Sequence, residues 1–110
     1  MSDRCCTRWL ATLALILSAP SAWSQGAPAD PVAGRNLAAT CANCHGTNGQ
    51  ARGDVRALAG VPAQELVAAL SAYKSGSRPG TIMNQIAKGY SDEQLRLIAD
   101  HFAAQQPAKR

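Results

Sequence analysis

Over the second half of the chain, apolar residues recur at helical rather than strand spacing. Leu66, Val67, Leu70 and Tyr73 share one helical face and predict a helix over residues 62–74, stopped by Ser75-Gly76. Leu95, Ile98, Ala99 and Phe102 form a second stripe. Ser91 with Gln94 three residues on reads as a capping box for it, Asp92 and Glu93 suit its positive end, and Pro107 closes it. Nearer the start, Asp30 is placed to cap a helix whose first position is Pro31. The run Val32 to Thr40 puts Val32, Gly34 and Leu37 where one face could pack, and this helix is expected to end at Cys41. Ile82 to Lys88 predicts a short helical segment ended by Gly89. Gly46 to Gly60 and Gly76 to Gly80 are rich in Gly and short polar residues, as loops are. Since no segment sustains apolar–polar alternation, the expected class is all-α.

The first residues follow a different logic. Arg4 and Arg8 precede a short apolar run, Trp9 to Leu17, and Ala22-Trp23-Ser24 supplies small residues suited to a cleavage site before Gln25. Residues 1–24 therefore read as a secretory signal and residues 25–110 as one small exported domain. An uncleaved membrane anchor is the competing reading, but the run falls short of the roughly 20 apolar residues that a spanning helix needs.

Removing that segment changes the cysteine arithmetic. Of four cysteines only Cys41 and Cys44 remain, so no disulfide framework can be built. Residues 25–110 carry nine basic and six acidic side chains, scattered singly. The balance fits acidic protein partners and not nucleic acid, for which a basic stripe is expected. With two Trp, two Tyr and one Phe in 110 residues, a core of side chains alone would be thin. A cofactor serving as part of the core would relieve this.

The chemistry lies in Cys41-Ala42-Asn43-Cys44-His45, the C-x-x-C-H signature of covalent c-type haem attachment. Two thiols so spaced can form thioethers to adjacent edges of a porphyrin, with His45 then held beneath the iron. A zinc site would need four ligands, and beyond these three there is only the distant His101. A thioredoxin-like pair belongs at a helix start in a βαβ unit, and a Cys41–Cys44 disulfide would close too small a loop to stabilise much. For the second axial position the candidate is Met83, the one methionine after the signal. His101 is the alternative, expected instead as a solvated surface histidine, and Lys74 and Lys88 are weaker ones.

These motifs resemble the class I cytochromes c. Gly34-Arg35-x-Leu37-Ala38, Cys41 to His45 followed by Gly46-Thr47-x-Gly49, Leu58-Ala59-Gly60, and Tyr73 to Arg78 match that pattern along nearly all of residues 25–110. Thr81-Ile82-Met83 with Ile86 to Ser91 is similar to the haem subunit of flavocytochrome c sulfide dehydrogenases. The resemblance implies a small all-α class I fold wrapped around one covalently bound haem c. It implies that Cys41 and Cys44 attach the haem, that His45 and Met83 ligate iron, that Leu58, Leu66 and Tyr73 line the pocket, and that Arg78 meets a propionate. It implies a crossing of the first and last helices in which Gly34 gives close approach for Phe102. It further implies an electron carrier, not an enzyme, whose partner is a flavoprotein subunit. A free diffusible carrier serving an oxidase is the alternative, and a haem peroxidase or gas sensor, needing an open sixth position, a remoter one. One departure stands out: the family usually has Pro two residues before the Leu of Leu-Ala-Gly, its carbonyl accepting the proximal histidine's ring N–H, and this chain has Arg56 there.

Overall fold

The computed structural model describes residues 30–109, so the expected signal, residues 1–24, lies outside the described residues. Four helices follow in order: α1 (Pro31–His45), α2 (Ala63–Ser75), α3 (Met83–Lys88) and α4 (Asp92–Ala103), with a 3-10 turn at Thr47–Gly49. No strand occurs among the described residues, in accord with the all-α expectation. None of their helices is long and apolar enough to cross a membrane.

α1 begins as its sequence predicts, with the Asp30 carboxylate accepting from the Val32 amide at 2.9 Å and Pro31 in the first turn. It does not stop at Cys41. The helix runs through Cys41, Ala42, Asn43, Cys44 and His45, because none of these residues breaks it. Gly46 turns out of helical backbone (φ 78°) while its amide still bonds the Ala42 carbonyl at 3.0 Å.

α1 packs across α4, with Gly34 at the crossing. A Cβ added to Gly34 would lie 2.8 Å from the Leu97 carbonyl oxygen and 3.4 Å from the His101 Cβ. The close approach is therefore to Leu97 and His101, not to Phe102 as expected. Leu97 and His101 are four apart on the α4 face turned to the start of α1, and Phe102 is rotated about 100° further, toward the interior. The buried side of α1 follows Gly34 and Ala38. Val32, about 200° around the helix from Gly34, is 62% exposed instead of packed.

The interior consists of Ala38, Leu66, Leu95, Ile98, Ala99 and Phe102. α4 supplies four of these from its apolar stripe, and its start is fixed by the reciprocal bonds Gln94 N to Ser91 Oγ at 3.1 Å and Ser91 N to Gln94 Oε1 at 2.8 Å. The loop between α1 and α2 is drawn in at its base. The buried Gly49 accepts from the Leu58 and Ala59 amides at 2.8 and 3.1 Å, and the Gly60 amide donates to the Phe102 carbonyl at 3.0 Å. Lys74 Nζ, at the end of α2, donates to the Tyr90 carbonyl and the Asp92 carboxylate, each at 2.8 Å, joining α2 to the start of α4.

Candidate haem site

Because α1 continues to His45, Cys41, Cys44 and His45 stand at i, i+3 and i+4 on one face of a rigid helix end. Cys41 is half-buried, and burial pushes its thiol above the ordinary cysteine range; Cys44 is exposed. The His45 ring is fixed by one bond, Nδ1 to the Arg56 carbonyl oxygen at 2.7 Å. A carbonyl can only accept, so Nδ1 carries the hydrogen and Nε2 keeps its lone pair for a metal. The carbonyl expected of a family proline is thus present although the residue is arginine.

This face opens on a cavity of about 340 Å³ whose lining is overwhelmingly apolar. Leu66, Leu70, Ile98, Ala99 and Phe102 form its inner wall, and Met83, with Ile82 and Ile86, borders it from α3 and the turn before. Tyr73 and Arg78 also border it, the guanidinium carbon 4.8 Å from the centre of the Tyr73 ring. All eight residues singled out in the sequence, Cys41, Cys44, His45, Leu58, Leu66, Tyr73, Arg78 and Met83, line this one cavity.

The alternatives for the second axial ligand lie elsewhere. His101 borders a separate cleft beside Gly34 and Leu97, half-buried and not the freely solvated residue expected. Burial, with the nearby Arg35 charge, holds its pKa below the ordinary 6.5. Lys74 is engaged with Tyr90 and Asp92, and neither it nor Lys88 borders the cavity. The competing readings of the Cys pair also lose ground. The pair sits at the C-terminal end of a helix, where the dipole opposes the thiolate that thioredoxin-like chemistry needs. Among the described residues no group of three or more His, Cys, Asp or Glu side chains is placed to hold a metal ion.

Sequence reasoning passed over several lining residues. Val55, isolated in a polar loop, and Ile82 are 41% and 58% exposed yet border the cavity, and Ile86 joins them. A large apolar residue stranded among Gly, Arg and Asp was the available signal for Val55. Asn84 was also missed: its side-chain amide donates to the Tyr73 carbonyl at 2.8 Å and the Arg78 carbonyl at 3.0 Å, tying the residue after Met83 to the end of α2 and the turn that follows. Nothing local announces these contacts.

Two thiols, an imidazole with its outer nitrogen available, and an apolar slot that a thioether also borders form a donor set that fits haem c. The family comparison agrees, the cytochrome c pattern matching residues 31–103. The chain belongs to the cytochrome c family. As a cytochrome c it transfers electrons by means of covalently bound haem and is a carrier, not an enzyme. It is similar to the cytochrome subunit of sulfide dehydrogenase of Chlorobaculum tepidum, 36% identical over 83 residues that make up 76% of this chain and 76% of that protein. It is similar to cytochrome c-554(548) of Halomonas halodenitrificans, 36% identical over 70% of this chain and 98% of that one. A third relative, the thiosulfate dehydrogenase electron acceptor of Thiomonas intermedia, is 34% identical over 90% of this chain and 43% of its own length.

Proposed function

We propose that this cytochrome holds a single haem c through Cys41 and Cys44, ligated by His45 and Met83, and receives single electrons in the periplasm as the cytochrome subunit of a flavoprotein sulfide dehydrogenase. The observation that carries the haem reading is that the attachment pair, both ligands and the pocket residues line one cavity. Bound there, haem iron supplies a one-electron couple. The protein's part is to hold and insulate. α1 presents both thiols and the imidazole, and the Arg56 carbonyl orients that imidazole and raises its basicity as a ligand. Leu58, Leu66 and Tyr73 keep water from the slot, and Arg78 meets a propionate. Residues 1–24 act as the export signal and residues 25–110 as the monohaem domain.

The partner rests on similarity to the Chlorobaculum tepidum subunit and on the run Thr81 to Ser91. A free carrier is the second reading, favoured by similarity to a thiosulfate dehydrogenase electron acceptor. Haem should remain with the polypeptide through acid extraction and be lost in the Cys41→Ala, Cys44→Ala double variant. Met83→Ala should abolish the weak far-red sulfur-to-iron band, lower the potential and admit small ligands. Survival of the band would remove Met83 as ligand. Co-expression with a co-encoded flavoprotein should give a complex in which sulfide reduces the haem rapidly. Failure to co-purify, with reduction no faster than by sulfide alone, would favour the free carrier.

A further inference from the structure

The Arg56 carbonyl that orients His45 sits in a weakly held stretch of chain. Between Gly49 and Leu58, whose mutual bond closes the loop, residues 51–57 make no backbone–backbone hydrogen bond among the described residues, and residues 52–57 are exposed. Among the described residues two hydrogen bonds fix that stretch, both at Arg56: its carbonyl accepts from His45 Nδ1, and its guanidinium pairs with the Glu65 carboxylate. Glu65 lies in the first turn of α2, a helix anchored in the core through Leu66. The ion pair thus connects the loose residue that meets the imidazole to a rigid element.

We infer that the Arg56–Glu65 pair is a positioning clamp for the iron ligand: it holds the Arg56 carbonyl on the His45 ring, supplying through charge the rigidity that a proline at this position would supply covalently. The inference rests on the reading that His45 ligates iron. Both partners are about half exposed, so the pair adds little to global stability. Its effect is local, because little else restrains the stretch. Releasing Arg56 lengthens, on average, the hydrogen bond from His45 Nδ1–H to the Arg56 carbonyl oxygen, makes the imidazole a poorer donor to ferric iron and raises the reduction potential.

The test is a double-variant cycle on the haem-loaded protein. Glu65→Gln breaks the pair while keeping shape, and Arg56→Pro removes the pair but restores a rigid carbonyl. The Arg56 amide donates no backbone bond among the described residues, so proline forfeits none there. In the otherwise unaltered chain, Glu65→Gln should speed solvent exchange of the His45 Nδ1 proton, followed by its paramagnetically shifted NMR signal, by about two- to fivefold and raise the potential, with little change in melting temperature. In the Arg56→Pro background the same substitution should leave the exchange rate unchanged, and any residual shift in potential there measures the lost carboxylate charge alone. Equal exchange rates with and without Glu65 in the Arg56 protein, or an equal acceleration in both backgrounds, would overturn the clamp. A loaded protein that lacks the spectrum of low-spin, histidine-ligated haem would overturn the clamp together with the ligand assignment beneath it.

Discussion

Replacing Gly49 by alanine tests whether the loop over the first helix end is held by shape or only by backbone preference. Gly49 adopts φ 74°, and a Cβ there would lie 2.8 Å from the Ala59 nitrogen, 2.8 Å from Phe102 Cδ1 and 3.1 Å from the Leu58 Cβ. Placing an L residue in left-handed backbone costs about 1–2 kcal/mol. Forcing a methyl into a filled site costs about 1–3 kcal/mol more, since neither the Ala59 backbone nor the enclosed Phe102 ring can yield freely. The expected loss is about 2–5 kcal/mol, against the roughly 4–12 kcal/mol that a domain of this size has in total. Gly53 is the internal reference, with the same φ of 74° but nothing within 4 Å of its added Cβ. Gly53→Ala should therefore cost only the conformational part, about 1–2 kcal/mol. Guanidinium titration of the haem-loaded protein and both variants, followed by far-UV circular dichroism and read at equal slope, separates the two contributions. If Gly49→Ala proves no less stable than Gly53→Ala, close packing around Gly49 is not what holds the loop.

Asn84→Ala removes both side-chain bonds from the residue after Met83 to the Tyr73 and Arg78 carbonyls. It should cost about 1–3 kcal/mol in denaturant titration and, with Met83 as ligand, speed cyanide binding to the oxidised protein severalfold. His101, with Arg35 opposite and Asp100 and Asp30 bordering the same cleft, has its pKa held below the unfolded value near 6.5, chiefly by burial. The unfolded chain therefore binds the extra proton more readily than the folded one. This contribution to stability is present above pH 6.5 and is lost as pH falls through 6.5 toward the lower folded value. Melting temperature should decline as pH falls below 6.5, and His101→Gln should flatten that decline; an unaltered slope would show that His101 is not its source.

The helix starts were legible because capping is chemistry within three or four residues: Asp30 with Pro31, and Ser91 with Gln94, announce themselves. The attachment motif was equally plain, being contiguous. What escaped depends on residues far apart in the chain. The extent of α1 was misjudged because a motif was taken for a boundary, although no residue from Cys41 to His45 breaks a helix and the first stop is Gly46. Gly34 was matched to the wrong residue of α4, since the rotation of one helix against another is set by packing and not by composition. Val55 and Ile82 belong to no apolar stripe in sequence and become cavity lining only through the course of two loops. The Arg56 substitution was visible, but its partner Glu65 was not, because the pair forms across the turn into α2.

Cys41, Cys44 and His45 belong to one unbroken stretch of α1, whereas Met83 reaches the cavity only when α2, α3 and the turn between them have packed. On the proposed ligand set this divides assembly in time. The near half of the site needs only the end of one helix, so the newly made chain can be loaded while still unfolded, with no need to thread a large planar ring into a closed protein. The far half is conditional on the finished fold. Under heat or denaturant the same asymmetry runs backward: the thioether should leave the iron first while the imidazole, next to the covalent links, stays within reach, which makes the sixth position a gauge of how much of the chain remains folded.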